Sequence, residues 1–264
     1  GTATETTGST FVNSFDSDGF TYNTNLITNG YTYAAWGWKG GGSANTFNID
    51  GTGYASASAA GLDGGNITPT GASINTTSGT SIITYTGNGS ANQTIKHGLS
   101  SAPEFIFIKD RVANSNNNQW QVIHTGVGDD YGYFTADAFT GTGQMIPTSG
   151  DATTVTIGRD ATVLTNETGD TFIMFCFHSV PQYQKIGVYH GNGTADGVYV
   201  DVGFRPAWLL LRRVAGSNYS IFDNKRDPFN FVDEYLIPND SGQAGTTESV
   251  DFLSNGFKVR NAGS

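Results

Sequence analysis

The chain predicts an all-β fold made of tandem antiparallel β-sandwich units, jelly-roll-like and joined by hairpin turns. Three observations predict it. The first is an internal repeat: Tyr85-Thr86-Gly87-Asn88-Gly89-Ser90-Ala91 returns as Tyr189-His190-Gly191-Asn192-Gly193-Thr194-Ala195, at an offset of 104 residues. The match continues from Ala102-Pro103-Glu104-Phe105-Ile106-Phe107-Ile108-Lys109 to Arg205-Pro206-Ala207-Trp208-Leu209-Leu210-Leu211-Arg212, and from Trp120–His124 to Tyr219–Asp223. The second is composition. With 36 glycines, much Thr, Ser and Asn, and 12% aromatics, the chain is poor in helix formers and rich in turn and strand formers. The third is punctuation. Short apolar runs are bounded by Asp18-Gly19, Asn29-Gly30, Asp50-Gly51, Asn88-Gly89, Asn192-Gly193 and Asn255-Gly256, dipeptides that accept the positive φ of tight hairpins.

Taken in order, residues 1–39 read as the tail of a preceding β unit that ends in a strand at Thr32–Trp38. Residues 40–84 read as an extended Gly/Ser/Thr connector because Gly40–Thr80 lacks strand periodicity, with a flexible linker as the alternative. Residues 85–186 read as a complete repeat. Its strands, counting one that opens on the connector side, are Ser81–Tyr85, Glu104–Lys109, Gln119–His124, Thr153–Ile157 and Thr171–His178. Phe105–Ile108 and Phe172–Phe177 are apolar on both faces and should lie centrally, covered on each side. Residues 187–264 read as a second repeat with strands at Lys185–Tyr189, Ala207–Arg212, Tyr219–Phe222 and Gly256–Arg260. Phe229–Ile237 suggests a short helix-like turn.

A third, partial copy runs out of step. Gly169–Phe177 is similar to Gly30–Trp38, and Ser249–Phe257 to Val12–Phe20. By this count the second repeat lacks its last strand, which would leave backbone groups unpaired. Three fillings are open: Thr32–Trp38 of the same chain, the same strand of a neighbouring copy, or continuation past Ser264. The sequence favours continuation, then the neighbour. The start at Gly1 rather than Met reads as a fragment or a processed product.

The net charge of −10 speaks against nucleic acid and against an anionic membrane surface. No apolar run approaches the ~20 residues of a membrane span, and no signal peptide is visible. Cys176, the single cysteine, sits in an apolar run and reads as a buried small side chain. His97, His124, His178 and His190 are dispersed, and the sister copy has Asp201-Val202-Gly203 and Asp223 where His97 and His124 stand, so structural histidines are expected. No nucleophile elbow accompanies them. Asp16-Ser17-Asp18-Gly19 lacks the later ligands of a calcium loop and reads as a turn; no metal site and no cofactor are expected. Trp36, Trp38, Trp120 and Trp208 read as core residues of strands, and Asn-x-Ser/Thr triplets such as Asn66-Ile67-Thr68 as chance. Paired carboxylates occur at Asp129-Asp130 and Asp233-Glu234, but sequence gives no separation from which to argue glycosidase chemistry. Asp129, Asp130, Tyr131 and Tyr133 form the candidate ligand site: carboxylates that accept sugar hydroxyls beside two aromatic faces, in a loop that the second copy lacks.

The connector Gly51–Gly65, with Pro69–Thr76 and Ser81–Gly89, resembles segments of Gly/Thr/Asn-rich repeat virion proteins of marine and cyanobacterial tailed phages. In that family Tyr-x-Gly-Asn-Gly units are strung together in fibre-like or tail-associated proteins. The resemblance covers most of residues 30–260 and implies a place, the virion surface, rather than a chemistry. It implies a non-enzymatic structural protein of a fibre, tail appendage or spike with a role in host adhesion. Its partners would be other virion proteins, further copies of itself (a trimer, by analogy with fibres) and host glycan, with no nucleic acid and no membrane insertion. A glycan-binding module, a polysaccharide-degrading enzyme and a capsid decoration protein are the rivals.

Overall fold

The computed structural model of the chain describes residues 12–23, 29–112, 119–128, 130–134, 137–139, 141–142, 152–158, 165–238, 240 and 245–260. The fold is all-β, with several sheets and, among the described residues, one 3₁₀ turn at Thr125–Val127. An amino-terminal hairpin pairs β1 (Val12–Phe15) with β2 (Phe20–Tyr22). The first half of the molecule then runs through β3 (Phe47–Ile49), β4 (Thr52–Tyr54), β5 (Gly71–Asn75), β6 (Thr80–Thr86), β7 (Gln93–Lys96), β8 (Phe105–Asp110), β9 (Gln121–His124), β10 (Asp130–Tyr133), β11 (Gly141–Thr142), β12 (Thr154–Ile157) and β13 (Thr171–Phe177). Nine of these form one sheet in the order β11-β10-β9-β8-β13-β6-β5-β3-β4, antiparallel except where β3 runs parallel to β5. β7 and β12 pair separately.

The periodicity of β13 explains the layering. Phe172, Met174 and Cys176 point to one face and are fully buried with Ile74, Ile83, Tyr85, Ile106 and Ile108. Ile95 of β7 and Val155 and Ile157 of β12 lie in the same core, so the small sheet caps the large one. The other face carries an aromatic layer: Phe105 on Phe107, Phe107 on Phe134, Trp120 on Phe175. The two strands apolar on both faces, β8 and β13, are neighbours in the middle of the sheet.

The second half contains β14 (Tyr199–Asp201), β15 (Trp208–Leu211), β16 (Ser220–Asp223), β17 (Val250–Leu253) and β18 (Gly256–Val259). β14-β18-β17 form one sheet and β15-β16 another. Their core is Phe222, Val232, Tyr235, Val250, Phe252, Phe257 and Val259. Several pairings match those of the first half. β14 pairs with β18 as β7 pairs with β12, and β15 with β16 as β8 with β9. Ile221 bridges Leu236 where Val122 pairs with Gly132.

Four expectations are corrected. Residues 40–84 are not a connector, because they supply β3 to β5 and five of the seven residues of β6. The sequence hid these strands because they are short and mostly small or polar, stitched by side chains rather than by apolar alternation. Ser73 Oγ donates to Asn48 Oδ1 at 2.9 Å, and the Asp50 carboxylate accepts from the Thr76 N–H and hydroxyl at 2.8 and 2.5 Å. The unit expected at 85–186 therefore reaches back to Phe47. Thr32–Trp38 and Lys185–Tyr189 lie outside any strand. Phe229–Ile237 forms isolated bridges through Val232, Tyr235 and Leu236 rather than a helical turn. Trp36 and Trp38 are not core residues; Trp38 is 49% exposed.

Candidate functional site

The repeated motif builds the same turn twice. Gly89 and Gly193 take φ of 70° and 68°, a region that only glycine enters freely. Asn88 Oδ1 accepts from the Ser90 N–H at 3.0 Å, and Asn192 Oδ1 from the Thr194 N–H at 3.2 Å. His124 and Asp223, matched in sequence, also share a task. His124 Nδ1 accepts from Gly126 N–H at 3.0 Å, and Asp223 Oδ1 from Lys225 N–H at 3.0 Å. Burial lowers the His124 pKa. His97 is fully buried, its Nδ1 accepting from Leu99 N–H at 3.1 Å and its carbonyl from Ser81 Oγ at 2.6 Å. His178 Nδ1 contacts Ser179 O at 2.8 Å, while His190 is exposed. These geometries give the first three histidines turn-forming and packing roles. Burial pushes the Cys176 thiol far up, which removes its nucleophilic form. The Asp16 carboxylate accepts from Ser14 and Thr21 hydroxyls at 2.9 Å each across the β1–β2 turn.

The structure brings Asp130, Tyr131 and Tyr133 together on β10; Asp129 lies outside the described residues. Tyr131 is only 8% exposed, and its ring meets Tyr133 edge-on at 5.7 Å. Burial, with the Tyr133 hydroxyl beside it, pushes the Tyr131 phenol up to about 12. Of the two aromatic faces that sequence reasoning assigned to a sugar ring, that of Tyr131 is therefore packed into the protein, while Tyr133 is half-buried.

The same segment joins the two halves of the molecule. Arg212, just past β15, lays its guanidinium between the Phe139 and Tyr219 rings, 4.5 and 4.6 Å from their centroids. Its Nη1 donates to Tyr133 O at 2.9 Å and to Tyr219 Oη at 2.6 Å. Phe134 stacks on Tyr219 at 4.3 Å, and Phe139 N–H donates to Val214 O at 3.0 Å. Sequence reasoning missed this joint. Its one signal was a cation ending an apolar strand run, at the position matched by Lys109.

A second unforeseen cluster is acidic. Oxygens of Asp110, Glu167 and Asp170 lie within 4.8 Å of one another. Residues 57 apart in sequence meet here because β13 sets Phe172 opposite Asp110, which brings Asp170 close. Burial raises the Asp110 pKa. The Val112 N–H opposes that rise, and the Asp170 and Glu167 carboxylates add to it. Three such oxygens can share a proton or face a hard cation.

The described residues thus assemble turns, a cation–π joint and a carboxylate trio. Among them, no helix is long and apolar enough to cross a membrane. No curated protein and no solved structure matches the chain. A family model described as a domain of unknown function, DUF7483, matches residues 1–264. The match runs across both halves and the joint between them, and the chain belongs to the DUF7483 family.

Proposed function

We propose that this chain is a structural protein of a tailed-phage virion, part of a fibre, tail appendage or surface spike with a role in host adhesion. The observation that supports the reading is the twice-built Tyr-x-Gly-Asn-Gly turn: an Asn side chain and a positive-φ glycine spend the most repetitive residues of the chain on architecture. Repeated β units with few charged groups resist proteolysis and present loop tips outward, as an appendage requires. Host contact then belongs to exposed loops and hairpins. Phe15, 87% exposed on the β1–β2 hairpin, is one such surface.

The test is to raise antibodies against the chain and label intact particles. Gold at a tail or spike supports the reading, and gold over the capsid shell reassigns the protein to decoration. Its absence from purified particles by mass spectrometry overturns the reading. Adhesion is tested separately, by adding host polysaccharide to labelled protein and following the resonances of Tyr133 and the exposed tyrosines. A lack of saturable shifts removes glycan from the partners.

A further inference from the structure

The centre of the first sheet is three neighbouring strands, β8, β13 and β6. In the second half β15 matches β8 and Lys185–Tyr189 matches β6. The strand between them has no counterpart among the described residues of 187–260, and two features mark its place. All four residues of β15 are half-exposed, whereas four of the six in β8 are buried. Lys185–Tyr189 lies outside any strand, with Val188 53% exposed.

Thr32–Trp38 carries the β13 pattern and already touches this edge. Trp38 meets Trp208 edge-on at 5.5 Å. Their matched residues, Phe177 and Phe105, are direct cross-strand partners with ring centroids 6.3 Å apart. Two residues earlier, the Trp36 ring lies 5.8 Å from the Arg226 guanidinium. Arg226 Nη2 donates to Ile221 O at 3.1 Å, and Ile221 is the partner of Leu210. An antiparallel strand with Trp38 opposite Trp208 sets Trp36 opposite Leu210, so both contacts fit one register.

We infer that the free edge of β15 is a strand-binding site whose occupant is Thr32–Trp38 of the same chain. It adds antiparallel, with Trp38 opposite Trp208, and closes the second half as far as Lys185–Tyr189. Tyr33 then takes the place of Phe172 and faces Tyr189, as Phe172 stacks on Tyr85 at 5.1 Å. The occupant is the chain's own segment, whose two tryptophans already lie against Trp208 and Arg226. A short link to β3 also holds the segment at high effective concentration. Nothing in this closure depends on the virion reading.

The test is a Trp38→Cys, Trp208→Cys double variant of the full chain, oxidised and mapped by peptide mass. Directly opposed antiparallel positions fall within disulfide reach, so most chains should carry a bond between positions 38 and 208 while remaining monomeric. Bonds between chains, or no bond, overturn the inference. Hydrogen exchange on the unmodified protein provides a measure independent of variant folding. Amides of residues 32–38 and 208–211 should exchange at least about 100-fold slower than in an unstructured chain. Unprotected exchange across 32–38 overturns the inference.

Discussion

The Tyr85–Phe177 and Tyr189–Val259 halves share turns and pairings but differ in what covers their central strands. In the first, β8 lies between β9 and β13, with the core on one face and an aromatic layer on the other. In the second, β15 pairs with β16 and, among the described residues, with no other strand. The Asn-Gly turns share the same local bond in both halves because that bond spans only two positions, although Asn166 adds long-range bonds to the first. Sheet closure needs a strand delivered from far along the chain, and local sequence cannot supply it. Repetition therefore sets the pieces, and long-range pairing decides which copy becomes a closed body.

The most severe way to sharpen the contrast is to truncate one apolar strand residue in each half. Phe172→Ala empties a fully buried site and removes a ring stacked on Tyr85; it should cost about 3–5 kcal/mol. Leu210→Ala, on half-exposed β15, should cost about 1–2 kcal/mol, since less apolar area leaves water there on folding. Chemical denaturation of both variants checks the ratio. Equal losses would mean that β15 is as enclosed as β13.

The joint is the next largest effect. Arg212→Ala removes two hydrogen bonds from a charged donor and a cation held between two rings. Set against this, Arg212 Nε and Nη2 are buried without hydrogen-bond partners, so their removal offsets part of the loss. We expect a net cost of about 2–3 kcal/mol. Arg212→Lys should recover little of it, because an ammonium cannot lie flat between Phe139 and Tyr219. Hydrogen exchange should show residues 208–223 loosening before β8 and β13. Uniform loosening would make the two halves one cooperative unit.

How much of this was legible in the sequence follows the same division. β8, β13 and β16 were readable because their apolar runs and flanking turns are local. The turns at Asn88-Gly89 and Asn192-Gly193 were readable for the same reason. β3 to β5 were not, because strands such as Thr52-Gly53-Tyr54 depend on partners and on bonds like Ser73 to Asn48. Lys185–Tyr189 reads as a strand and is not one, since its matching partner lies elsewhere. The candidate site was half legible. The sequence located Tyr131 and Tyr133 as unusual, but not that β9 pairing turns Tyr131 inward or that Arg212 holds the carbonyl of Tyr133.

The smallest effects set two buried strand-end aspartates against each other. Burial pushes the Asp223 carboxyl up, but the backbone N–H groups of Arg226 and Lys225 and the Arg226 guanidinium outweigh it, and the net shift is downward. Its contribution is present above the unfolded carboxyl pKa of about 3.9 and lost as pH falls through the lower folded value. Asp223→Asn should therefore cost about 1–3 kcal/mol near pH 7, with the difference shrinking on acidification. Asp110 is shifted the other way, by burial and by Asp170 and Glu167. Its favourable contribution is complete below the unfolded pKa and lost as pH rises through the raised folded value, so at neutral pH the carboxylate opposes folding. Asp110→Asn keeps an acceptor for the Val112 N–H, now bonded at 2.8 Å. It should raise the melting temperature at pH 7 and lose that advantage as pH falls towards 4. Melting curves of both variants between pH 3 and 8 should diverge from the parent in opposite directions at the neutral end and converge with it at the acid end. A loss of stability in Asp110→Asn at pH 7 would mean that its carboxylate is held in place by attraction rather than merely tolerated.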